Sequence, residues 1–148
     1  MILSDVINKN AIQVNMRAQN KEQAISMLAA LLQKDGAVKD SERFIQDVYQ
    51  REREGKTGIG GYIAIPHGKS EFVAHTCIAI GLLDQPINWE SLDGNPVKVV
   101  ILFAVNKKDK NDYSVKMMSQ VARMLGKEEV CAQLLSAKSA EELISIFN

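Results

Sequence analysis

The chain has 148 residues, and its 18 basic side chains balance 18 acidic ones, so no strong field draws it to nucleic acid or to an anionic membrane surface. Hydrophobic residues make up 46%, enough for one domain with a core of its own. The longest apolar runs, residues 97–105 among them, are too short to cross a bilayer; Met1-Ile2-Leu3-Ser4-Asp5 lacks the marks of a signal peptide, and cytoplasmic residence is expected.

Residues 11–16 alternate as a strand. Asn20 followed by Gln23 reads as a capping box, Ala24, Leu28, Leu31 and Leu32 recur at helical spacing, and Gly36 ends that helix. A second helix opens near Asp40, carries Phe44 and Val48 one turn apart and stops by Gly55. Ile63-Ala64-Ile65 reads as a brief buried strand ended by Pro66, which leaves His67 where the strand gives way to a loop. Residues 76–83 and 97–105 are nearly all apolar, as strands buried on both faces are. Pro86, Trp89 and the turn pair Asp93-Gly94 lie between them. Polar residues 106–112 precede a helix with Val115, Met118, Val121, Ala122 and Leu125 on one stripe. Two more helices follow; Ser139 and Glu142 box the last, which buries Leu143, Ile146 and Phe147. No repeat or linker divides the chain. The expectation is one α/β domain over residues 1–148.

Several chemistries drop out. Glu54-Gly55-Lys56-Thr57 has the end of a P-loop, but Gln50 stands where its first glycine belongs and a helix precedes it. Gly58-Ile59-Gly60-Gly61 lacks the spacing of a dinucleotide fingerprint, and no nucleophile elbow is present. Cys77 and Cys131 sit in no zinc-ligand spacing and read as small buried hydrophobes. With two histidines in the chain, a multi-histidine metal site is hard to build, and no cofactor is expected.

His67 remains. A loop histidine picked at random has no task, but three features weigh against that here. The glycines around it allow a nest of amides for an anion, Arg51 at the end of the preceding helix offers a bidentate phosphate contact, and Lys69 and Ser70 add donors.

At these residues the chain resembles the enzyme IIA domains of the fructose–mannitol class in the bacterial phosphotransferase sugar-uptake system. The resemblance rests on Arg51-Glu52, on Gly55-Lys56-Thr57-Gly58-Ile59-Gly60 and on Ile63-Ala64-Ile65-Pro66-His67. It continues through residues 86–94, 97–105, 119–125 and 137–142, essentially the whole chain. It implies a central mixed β-sheet flanked by helices in α/β/α layers, and a transferase subunit with a phosphohistidine intermediate. His67 would accept a phosphoryl group on Nε2 from HPr or an HPr-like domain and pass it to a cysteine of an enzyme IIB partner. From there it would reach incoming sugar at the membrane permease, enzyme IIC; no metal or nucleotide is implied. Arg51 would stabilise the phosphoryl group. The family commonly has a second histidine near the first, and the alignment places Ser114 there. A serine can hydrogen-bond a phosphoryl oxygen but cannot carry an imidazolium charge. His75 is no substitute by alignment and reads as surface. The rival reading is a regulatory protein of the same fold, of the nitrogen-related type. Partners are expected to dock on a largely apolar patch around Ile59, Tyr62 and the His67 loop.

Overall fold

A computed structural model describes residues 2–148. A short helix α1 (Leu3–Val6) leads into strand β1 (Ile7–Met16), followed by helices α2 (Lys21–Lys34) and α3 (Ser41–Glu52). Three short strands come next, β2 (Gly58–Gly60), β3 (Ile63–Ala64) and β4 (His67–Ser70). The long strands β5 (Cys77–Ile87) and β6 (Val97–Asn106) then precede helices α4 (Asn111–Leu125), α5 (Glu128–Ser136) and α6 (Ala140–Ile146).

The strands form one mixed sheet in the order β1-β5-β6-β3-β2, with β4 also beside β6. β5 and β6 run antiparallel, while β1 lies parallel to β5 and both β3 and β4 lie parallel to β6. Helices cover both faces. On one, Leu28, Leu32, Phe44 and Val48 of α2 and α3 belong to the same buried cluster as Ala79, Val100 and Leu102. On the other, Met117, Val121, Leu134 and Leu143 of the last three helices pack with Ile78, Ile80, Ile101 and Phe103. This is the α/β/α layering expected, and it explains the continuous apolar character of the two central strands.

The caps hold where the sequence places them. Asn20 accepts from the Gln23 amide at 2.8 Å, Asp40 from Arg43 at 3.1 Å and Ser139 from Glu142 at 3.1 Å. Gly36 (φ 81°) closes α2 in a left-handed turn, with the Ala37 amide on the Leu32 carbonyl and the Gly36 amide on that of Gln33.

Four elements differ from expectation. β1 begins four residues early, because Asn8 and Asn10 donate their side-chain amides to the two carboxylate oxygens of Asp35, each at 2.8 Å, and so hold polar residues in a strand. β5 continues through Pro86, which lies in the register shift between the Leu82–Val99 and Ile87–Val97 pairs, where no ladder amide is needed. α4 buries Met117, Val121 and Leu125, whereas Val115 is 60% exposed and Ala122 faces solvent. Finally, His67 does not open a loop. Pro66 only interrupts the chain between β3 and β4, and its carbonyl accepts from the Phe103 amide at 3.0 Å, so the strand resumes at His67 opposite Phe103.

Gly68, directly after His67, is where α3 comes closest to the sheet. A Cβ there would meet Val48 Cγ2 at 2.8 Å and the Val48 backbone nitrogen at 3.1 Å. Gly68→Ala is therefore expected to push α3 outward and cost about 1–3 kcal/mol, the usual penalty of overpacking. Denaturant melts check this; an unchanged midpoint would show that α3 yields freely.

Candidate active site

His67, Arg51 and Ser114 come from three separate elements and line one cleft of about 550 Å³. α3 supplies Asp47, Gln50 and Arg51 with Glu54 just beyond its end, β4 supplies His67 and Lys69, and the first turns of α4 supply Asn111, Ser114, Val115 and Met118. Residues 47, 50, 51 and 54 have the spacing of one helix face, a signal the sequence carried without showing what it faced.

The His67 ring is half-buried, with Nδ1 at 3.4 Å from the Ile65 carbonyl. A carbonyl only accepts, so Nδ1 carries the proton of the neutral ring and Nε2 keeps its lone pair. Arg51 Nη1 donates to the Gly55 carbonyl at 3.2 Å, folding the guanidinium back over the helix end. Lys69 Nζ donates to Asn111 Oδ1, tying β4 to the start of α4. The Ser114 hydroxyl donates to the Asn111 carbonyl at 3.1 Å, which leaves its oxygen lone pairs free.

Burial holds the His67 imidazole below its ordinary pKa; the Ile65 carbonyl opposes this, Arg51 adds to it, and Glu52 and Glu54 oppose it. The net direction is down, so the ring is neutral at neutral pH and fit to act as a nucleophile. The unfolded chain takes up this proton first as pH falls. Its contribution to stability is therefore complete above about pH 6.5 and is lost as pH falls through the folded-state value. An NMR titration of His67 should give a midpoint below about 6.5. A midpoint above it would mean that the carboxylates outweigh burial.

Three sequence expectations fail here. The glycine amides form no open nest: Gly58 donates to the Glu90 carbonyl at 3.1 Å, Gly60 to Ser91 Oγ at 3.1 Å and Gly61 to Asp93 Oδ2 at 3.1 Å. They are spent on the loop between β5 and β6. Ser70 is buried, and its hydroxyl accepts from the Phe72 amide, away from the cleft. Ile59 and Tyr62 do not flank His67. The Tyr62 carbonyl accepts from the Val99 amide while His67 pairs with Phe103, four residues along β6 and roughly 13 Å away. The apolar rim of the cleft is Val115 and Met118 instead.

His75 is exposed in a second cleft of about 590 Å³, which does not include His67. Its polar groups hold the turn together: Thr76 Oγ1 donates to Asp109 and accepts from the Asn106 amide, and Asn106 Nδ2 donates to the Ala74 carbonyl. Cys77 is buried, and burial pushes its thiol up to about 12. Cys131 is only half-buried, less than expected, and burial raises its pKa too. Neither thiol is primed as a nucleophile.

A histidine whose Nδ1 faces a carbonyl thus shares a cleft with an arginine, on a strand of a layered α/β sheet. Residues 5–148 match the model of the family described as "Phosphoenolpyruvate-dependent sugar phosphotransferase system, EIIA 2", and the chain belongs to that family. It is 36% identical over 146 residues to the mannitol-specific phosphotransferase enzyme IIA component of Bacillus subtilis, covering 97% of this chain and 96% of that one. To the nitrogen regulatory protein of Klebsiella oxytoca it is 33% identical over 147 residues, covering 97% and 88%. It spans 23% of the length of the fructose-specific EIIABC component of Bacillus subtilis. The crystal structure of the nitrogen regulatory protein IIA-Ntr from Neisseria meningitidis shares the fold, with a TM-score of 0.90 at 22% identity over 98% of each chain. Among the described residues, no helix is long and apolar enough to cross a membrane.

Proposed function

We propose that the chain is a phosphocarrier of the sugar phosphotransferase system, with His67 as its phosphoryl acceptor. The observation that carries this reading is the Nδ1 contact to the Ile65 carbonyl in a cleft shared with Arg51 and Ser114. The Nε2 lone pair attacks the phosphorus of phospho-HPr or an HPr-like domain. The phosphorus–nitrogen bond to the donor imidazole breaks, and that imidazole leaves with the electron pair. Arg51 swings from the Gly55 carbonyl to the phosphoryl oxygens and offsets their charge through a loose transition state. In the second step a cysteine thiolate of enzyme IIB attacks the same phosphorus, and His67 leaves as a neutral imidazole. This chain's own thiols are protonated at neutral pH, in keeping with an acceptor supplied by the partner. Val115 and Met118 form the apolar rim both cytoplasmic partners press against, and the group reaches sugar through enzyme IIC.

The test is to incubate the chain with phosphoenolpyruvate, enzyme I and HPr, then to add an enzyme IIB. A phosphoprotein that discharges onto the IIB cysteine supports the reading, and an unlabelled chain sinks it. The similarity to a nitrogen regulatory protein across 88% of that relative favours one second reading, a phosphorylated regulator. It predicts labelling without discharge onto any enzyme IIB encoded nearby.

A further inference from the structure

The Ile65 carbonyl that fixes His67 is itself held by a buried chain of contacts. The Ile65 amide donates to the Thr57 carbonyl at 2.9 Å. The Thr57 hydroxyl, in a residue only 2% exposed, accepts from the indole Nε1 of Trp89 at 2.9 Å. The indole ring, 7% exposed, lies 5.6 Å beneath the Lys21 ammonium, and that ammonium pairs with Glu90 at 2.9 Å and Glu52 at 3.1 Å. Glu52 follows Arg51 in the chain. The two sides of the cleft thus meet at one anchor. On one side it holds the helix end that carries Arg51; on the other it holds the segment that presents His67.

Gly58 shows how closely this segment is seated, since a Cβ there would lie 2.7 Å from both the Glu90 carbonyl oxygen and Ser91 Cβ. A buried threonine hydroxyl is costly unless it is partnered, and here one indole N–H partners it. The bond also sets where the Thr57 carbonyl points, and through Ile65 it sets where the acceptor of Nδ1–H stands. We propose that Thr57 and Trp89 are positioning residues that hold His67 in its Nδ1–H tautomer, with Nε2 free to take the phosphoryl group. This rests on the phosphocarrier reading for its consequence, but not for its geometry.

The test uses Thr57→Val, which keeps shape and deletes the acceptor, and Trp89→Phe, which deletes the donor. Lys21 is left alone, because the second oxygen of Glu52 is already buried without a partner among the described residues, and removing the ammonium would strand that carboxylate. Nitrogen-15 spectra of the His67 ring report its tautomer without any phosphoryl donor, so they read the proposal even if the chain is never phosphorylated. Both variants are expected to populate the Nε2–H form and to slow transfer from phospho-HPr about tenfold, equivalent to roughly 1.4 kcal/mol in the barrier. The double variant should be no worse than either single one, and Thr57→Ser should restore wild-type spectra and rate. Folded variants that keep the wild-type tautomer, at whatever rate, would overturn the proposal. So would a Thr57→Ser as impaired as Thr57→Val.

Discussion

His67→Ala is expected to remain folded and to take no label at all from phospho-HPr. The wild type should give a phosphoprotein that is labile in acid and stable in base, as a phosphoramidate is. The loss should be complete, because nothing nearby can replace the imidazole. His75, the other histidine, is in a different cleft, so His75→Ala should label normally. Burial pushes the Cys77 thiol up to about 12, and the Ser114 hydroxyl proton is already given to the Asn111 carbonyl. Stability should suffer modestly, since the alanine removes one bond to the Ile65 carbonyl in a half-buried setting. Persistent labelling of His67→Ala would show that the acceptor lies elsewhere.

Arg51→Ala is expected to slow transfer about 10²-fold or more, the scale of losing one preorganised charged donor. Among the described residues its one hydrogen bond is to the Gly55 carbonyl, just past the end of its own helix, so the fold should survive. Lys69 also lines the cleft, but Asn111 holds its ammonium, and a lysine offers a point charge where arginine offers a fork. Ser114→Ala should cost far less, about 0.5–1.5 kcal/mol at most, because the hydroxyl proton is already committed to the Asn111 carbonyl. Ser114→His should speed transfer or lengthen the phosphohistidine lifetime by placing a second imidazole in the cleft. Rapid-quench kinetics on the four proteins decide the order. Equal damage from Arg51→Ala and Ser114→Ala would mean that the serine performs the arginine's task.

Local chemistry was readable where a few neighbouring residues settle the matter. The capping residues Asn20, Asp40 and Ser139 act within one helical turn, and the apolar runs of β5 and β6 announce burial on both faces by their own composition. Pro66 marks a break in the ladder because it has no amide to give. His67 and Arg51 were legible as a pair because they lie near each other along the chain.

What the sequence by itself determined is the layered α/β class; it also put His67 and Arg51 forward together, and the structure brings both to one cleft. Tertiary structure decided what surrounds them. The strand resumes at His67 because β6 offers it an edge, which no local pattern encodes. The glycine amides pair with the Glu90–Asp93 loop because that loop folds back some thirty residues later, so a nest that looks open in sequence is closed in space. Val115 leaves the core stripe, and Met118 is only half-buried against it, because the cleft borders that side of α4. Helical spacing reports a repeating face but not which of two neighbours the face meets, and that choice belongs to packing.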